Sequence, residues 1–178
     1  VLAGDDLGAE DVLAQNLRTV GAEVGPARVR VLGYQITGGA EEAAAVRVAV
    51  AALRTPVTAL LAESMNDAAG KPQALSQWKG KALVVNFWAP WCAPCVEEMP
   101  ELDSLAQEAA KKNINIIGIG IDSPSNIADF AQKFKISYPL YVSGLRGTEL
   151  ARDFGNKAGG LPYTVLIGAD GQVKKTYL

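Results

Sequence analysis

Histidine is absent from the 178-residue chain. That removes imidazole general bases and the commonest metal ligand at once. Cysteine is scarce, with 2 residues, so a four-ligand structural zinc site would need a second subunit. There is no basic excess, since the formal charge is −2, and nothing favours nucleic acid or an anionic membrane surface. A long uninterrupted apolar run is missing too. The most apolar stretch, Ala43 to Ala62, is broken by Arg47, Arg54 and Pro56, and such charges are costly at a bilayer centre. It reads as soluble helix. No cleavable secretion signal is legible, because Asp5 and Asp6 stand where a basic segment belongs. Either a targeting segment has been removed or the chain is cytosolic.

What is present is ordinary for a soluble globular protein: 49% hydrophobic and 20% charged residues. The length suits one domain with an appendage, or one elaborated domain. Composition shifts abruptly near residue 63. Every lysine lies at Lys71 or beyond, whereas Arg18, Arg28, Arg30, Arg47 and Arg54 precede it, and Ile36 is the sole isoleucine of the first part. Two segments are therefore expected, an N-terminal α/β extension over 1–62 and a second domain over 63–178.

The extension reads as helix, strand, helix. Val12, Leu13, Leu17 and Val20 share one helical face over Ala9–Val20, and Gly21 is placed to end it. Arg28–Ile36 has strand chemistry before the Gly38-Gly39 turn, and Ala40–Leu53 is alanine-rich and helix-forming. Pro56 suits the first turn of another short helix. No motif here carries chemistry, and a packing or spacer role is the plain reading.

The second segment alternates strands and helices. Met65–Leu75, broken by Gly70-Lys71-Pro72, suggests a hairpin. Ala82–Trp88 is apolar apart from Asn86, as a strand buried on both faces should be. Helical spacing over Val96–Lys112, a strand over Asn113–Ile121, a helix near Ile127–Lys135 and a short helix over Thr148–Phe154 follow. Pro162–Ile167 and Gln172–Tyr177 pair across Asp170-Gly171, a strong hairpin signal. The fold class is α/β, a central mixed sheet flanked by helices.

The chemistry sits in Cys92-Ala93-Pro94-Cys95. Two cysteines at this spacing can be a redox couple, half a metal site or coincidence. A static disulfide would close a tiny loop and restrain little of the unfolded chain. Placement between a strand and a helix favours redox work. The first amides of a helix lack intrahelical partners and point towards the Cys92 sulfur, so they and the helix dipole favour thiolate over thiol. Cys92 is then the attacking sulfur, and Cys95, one turn on and less exposed, resolves the adduct. Ala93-Pro94 adds no cation to the helix effect. A reducing couple is expected, nearer thioredoxin at about −270 mV than DsbA at about −120 mV.

Asn86-Phe87-Trp88-Ala89-Pro90-Trp91-Cys92-Ala93-Pro94-Cys95, followed by Glu97-Glu98-Met99-Pro100, resembles the TlpA/ResA-like branch of the thioredoxin superfamily. Gly160-Leu161-Pro162-Tyr163-Thr164 matches that family's cis-proline loop. The resemblance spans residues 64–178 and implies a thioredoxin-like fold with an N-terminal hairpin. It also implies work outside the bacterial cytoplasm, in the periplasm or anchored to the membrane facing it. Family members reduce apocytochromes, copper-site proteins or other envelope proteins, with a membrane electron donor and no bound cofactor or metal. On this basis Cys92, Cys95 and Glu98 are the catalytic candidates, with Glu98 tuning the cysteines or shuttling a proton. Trp91, Pro94, Leu161 and Pro162 are the residues expected to meet the substrate chain. Asn86 stands where thioredoxin has a buried aspartate, so a proton relay must run through Glu98 or water. The residues before Pro162 lack the acidic pattern of dedicated cytochrome-maturation reductases.

Trp91 is expected to shield the disulfide and offer an apolar rim, and Trp88 to be core. A peroxidase and a binding or holdase module are the competing classes. Peroxiredoxins share the fold but place threonine or serine where this chain has Ala89. Thioredoxin folds add a helix after the last strand, and an apolar stripe of the extension is the expected candidate to cover the face that such a helix occupies. Oligomeric state stays open.

Overall fold

The computed structural model describes the backbone of residues 24–25, 28–31 and 34–36, and residues 55–178 in full. The chain divides into two compact units, Val1–Arg54 and Thr55–Leu178, so the division falls one short helix before the composition shift. In the first unit β1 (Val24–Gly25), β2 (Arg28–Val31) and β3 (Tyr34–Ile36) form an antiparallel sheet in that order. Arg28–Ile36, expected as one strand, thus contains two, with Val31 paired to Tyr34. A single strand between helices does not describe this segment. The helices expected over Ala9–Val20 and Ala40–Leu53 lie outside the described residues.

The second unit opens with α1 (Pro56–Leu61), where Pro56 occupies the first turn and Thr55 Oγ1 accepts from the Thr58 amide at 3.2 Å. The expected hairpin follows as β4 (Ser64–Asp67) and β5 (Pro72–Ala74), then a 3-10 turn over Leu75–Trp78 that buries Leu75. Next come β6 (Ala82–Trp88), α2 (Ala93–Ala110), β7 (Ile114–Gly120) and α3 (Pro124–Phe134). β8 (Leu140–Val142), α4 (Leu145–Asp153), β9 (Tyr163–Ile167) and β10 (Val173–Tyr177) complete it. The sheet order is β10-β9-β6-β7-β8-β4-β5. β6, β7 and β8 run parallel, joined by the crossover helices α2 and α3, and the remaining pairings are antiparallel. This is the expected mixed α/β sheet, with β8 as an added strand.

Two cores follow from the two-residue period of the strands. Leu83, Val85 and Phe87 of β6, Ile117 and Ile119 of β7, and Tyr163, Val165 and Ile167 of β9 pack with Val57 and Leu60 of α1 and Leu150 of α4. Trp88 and Ile116 face the other way, against Cys95 and Met99 of α2 and Ile127 and Phe130 of α3. On this second face β7 carries glycine. A side chain at Gly118 would meet Trp88 Nε1 at 3.0 Å and Leu140 Cδ2 at 2.5 Å, and one at Gly120 would strike Ile127. Their bare backbone lets the Trp88 indole and α3 close onto the sheet. Among the described residues no helix is long and apolar enough to cross a membrane.

Candidate active site

The buried strand β6 aims the chain at the site. At its end the Cys92 amide donates to the Ala89 carbonyl at 3.1 Å, closing a tight turn through Pro90-Trp91. Cys92 is the N-cap of α2, with extended backbone, and Ala93 and Pro94 begin the helix. Pro94 has no N–H to offer, so the Cys95 amide is the one that reaches back, donating to Cys92 Sγ at 3.3 Å. The sulfur therefore takes the place that a serine or aspartate oxygen takes at ordinary helix starts. Cys92 and Cys95 are joined in a disulfide, with Cα atoms 5.2 Å apart. Their exposure is graded, 7% for Cys92 and 0% for Cys95. Only the first sulfur's residue retains access to solvent.

Beside the pair, Trp91 is 68% exposed and presents its indole to solvent. Trp88 is buried and tilted against Phe130, with ring centroids 4.7 Å apart, so it is core. Pro94 is exposed at the helix start. The Leu161–Pro162 bond is cis, and half-buried Leu161 packs against the core cluster that contains both cysteines. Asn156 braces this loop. Its Nδ2 donates to the Gly160 carbonyl at 2.8 Å, and its Oδ1 accepts from the Gly159 amide at 3.1 Å.

Glu98 lies one turn beyond Cys95 on the same helical face. Its Oε1 accepts from Asn86 Nδ2 at 2.7 Å, and the same Nδ2 donates to Thr164 Oγ1 at 3.0 Å. Burial lifts the Glu98 carboxyl above the ordinary glutamate range, the Asn86 donor opposes that, and neighbouring Glu101 adds to the lift. Glu97 is exposed.

Asn156 and Thr164 are the site neighbours that sequence reasoning missed. Thr164 stands opposite Asn86 in the β6–β9 register, so the hairpin boundaries contained the signal once the strand pairing was known. Asn156 carried a weaker one, an amide residue four before Gly160 in a turn-rich stretch.

A mixed sheet with a Cys-x-x-Cys disulfide at a helix start and a cis-proline loop packed beside it defines a thioredoxin-like domain. Residues 42–178 match the family model described as Redoxin, and the chain belongs to that family. It is 32% identical over 112 residues to the thiol-disulfide oxidoreductase ResA of Geobacillus thermodenitrificans, covering 62% of this chain and 62% of that protein. The ResA of Bacillus anthracis is 31% identical over 110 residues, 61% of each chain. The chain thus spans less than two thirds of the length of these relatives. Among solved structures, a thiol:disulfide interchange protein of the thioredoxin family from Chlorobium tepidum TLS is 30% identical. It superposes with a TM-score of 0.56 over 65% of this chain and 81% of that one. A secreted Mycobacterium tuberculosis disulfide oxidoreductase, homologous to E. coli DsbE, shares the fold at 22% identity, TM-score 0.56, over 67% and 84% of the two chains.

Proposed function

We propose that this protein is a thiol–disulfide oxidoreductase that reduces disulfides of other proteins outside the cytoplasm. The observation that carries the reading is the graded cysteine pair, with Cys92 reachable at the start of α2 and Cys95 sealed behind it.

In the reduced chain the Cys92 thiolate attacks one sulfur of a substrate disulfide. A Cys92–substrate bond forms, the substrate S–S bond breaks, and the departing thiolate takes a proton. The Cys95 thiol then gives up its proton, with Glu98 as the nearby acceptor, and attacks Cys92 Sγ. The Cys92–Cys95 bond closes, the mixed disulfide breaks, and the substrate leaves with both its sulfurs reduced. Two electrons have moved from the protein to its substrate. Each cycle ends on the disulfide described above, so an electron donor must restore the dithiol, and the family resemblance points to one in the membrane. Trp91, Pro94, Leu161 and Pro162 form the rim against which the substrate chain lies. Ala89, a buried methyl three residues before Cys92, offers no hydroxyl to orient a peroxide, which favours protein disulfides over peroxide as the oxidant.

The test is trapping with Cys95→Ser. With the resolving sulfur gone, Cys92 should hold substrate proteins as mixed disulfides that dithiothreitol releases. Cys92→Ser should trap nothing and lose disulfide reduction. Activity that survives in Cys92→Ser would overturn the assignment, and a measured potential above about −180 mV would overturn the direction.

A further inference from the structure

The β6–β9 register sets Asn86 directly opposite Thr164, and α2 lays Glu98 over the pair. Asn86 is 0% exposed. Both bonds use its nitrogen, and its Oδ1 has no hydrogen-bond partner among the described residues. A buried carbonyl oxygen left in this condition is unfavourable, so the orientation is held by what the nitrogen gains. The bond to Glu98 is strongest while Glu98 is a carboxylate, which accepts and cannot donate. A protonated Glu98 accepts more weakly and gains an O–H that only Oδ1 of the amide can accept.

We propose that Asn86 is a positioning residue for the Glu98 carboxyl: its amide donates to the carboxylate, and turns half a revolution to accept from the carboxyl O–H when Glu98 takes up a proton. Thr164 follows the turn, because a hydroxyl that accepts from Nδ2 can equally donate to Oδ1. Either orientation makes two hydrogen bonds and leaves one amide atom unpartnered. The count of bonds is the same in both protonation states. An aspartate in this place would set a second carboxylate against Glu98, and a leucine would serve neither state. Asparagine is thus suited to an acid that must both take and return a proton.

The titratable groups around the Glu98 carboxyl are Glu101 on α2, Tyr138 from the segment leading into β8, and the cysteine pair one turn earlier. Burial, and Glu98 itself, hold the Tyr138 proton more tightly than in a free phenol. Tyr138 therefore stays neutral while Glu98 titrates. The inference rests on the redox reading only for its use, since the proton on Glu98 is the one passed from Cys95.

The decisive measurement is an NMR titration of the Glu98 side-chain carboxyl carbon in the full oxidised chain, which requires no substrate. In Asn86→Leu the carboxylate loses a stronger bond than the carboxylic acid does, so the midpoint should rise by about one pH unit. Asn86→Asp should titrate in two coupled steps, the later one above the wild-type midpoint. In the wild-type chain the Asn86 side-chain amide protons should shift with the same midpoint as Glu98, and should stop titrating in Glu98→Gln. That last measurement needs no variant at Asn86 and decides the matter if Asn86→Leu does not fold. A Glu98 midpoint unmoved in folded Asn86→Leu, or Asn86 amide signals that ignore the titration, would overturn the proposal. Failure of the wild-type dithiol to reduce any protein disulfide would remove the functional reading and leave this result standing.

Discussion

Reduction of the Cys92–Cys95 bond should weaken the fold only slightly. The two residues are 3 apart in sequence, so the bond closes a loop of about four residues. The chain-entropy relation gives such a loop about 6 cal/mol/K, or about 2 kcal/mol at 25 °C. Against this, reduction frees the Cys92 sulfur to become a thiolate at the N-terminus of α2, where the Cys95 amide already points at it. A negative charge there returns about 0.3–1 kcal/mol. The net loss should be about 1–2 kcal/mol, a fall of roughly 1 M in the urea midpoint for m-values of about 1–3 kcal/mol/M. The assay is urea unfolding followed by far-UV circular dichroism, with and without excess dithiothreitol. A loss above about 4 kcal/mol, in the upper range for native disulfides of small secreted domains, would refute the reasoning. It would mean that the bond holds the fold together and is not free to cycle.

Three further outcomes follow. Gly118→Ala should lower stability by about 1–3 kcal/mol by overpacking, because the new methyl would strike buried Leu140 first and then Trp88, which already rests against Phe130; a thermal midpoint unchanged from wild type would count against this packing. Glu98 holds its proton more tightly folded than unfolded, so its contribution to stability should be greatest at low pH and fall as pH rises from 4.5 through the raised folded value. Glu98→Gln should abolish that component, which melting curves across the acid range will read. Asn156→Ala removes both braces of the loop before Pro162; it should cost about 1–3 kcal/mol and lower kcat/KM for insulin reduction, and an unchanged kcat/KM would separate the loop from substrate contact.

How much was legible depended on whether a signal was local. β6 announced itself through an apolar run with one polar interruption, and β10 through Asp170-Gly171, although every residue of β10 is exposed and its pattern alone would have said little. The cysteine pair and the start of α2 could be read together because proline and cysteine spacing fix a helix start locally. β8 escaped, since three residues between Pro139 and Ser143 are too few to show a period. Arg28–Val31 and Tyr34–Ile36 were read as one strand because both are built of strand-forming residues with little between them in sequence to separate them. Asn86 drew notice as a polar residue in a buried strand, but its partner Thr164 is 78 positions away. Only the register brings them together.

That register also orders events during synthesis. Val85 at the middle of the sheet pairs with Ile117 on one side and Val165 on the other. On the ribosome the cysteines emerge long before β9 exists to seal the sheet next to them, and such long-range pairing is slow to form. For that interval both sulfurs belong to an open chain, within reach of whatever oxidant the compartment holds. A nascent chain halted before Tyr163 should therefore have its two thiols modified at equal rates, and only the finished domain should distinguish one from the other.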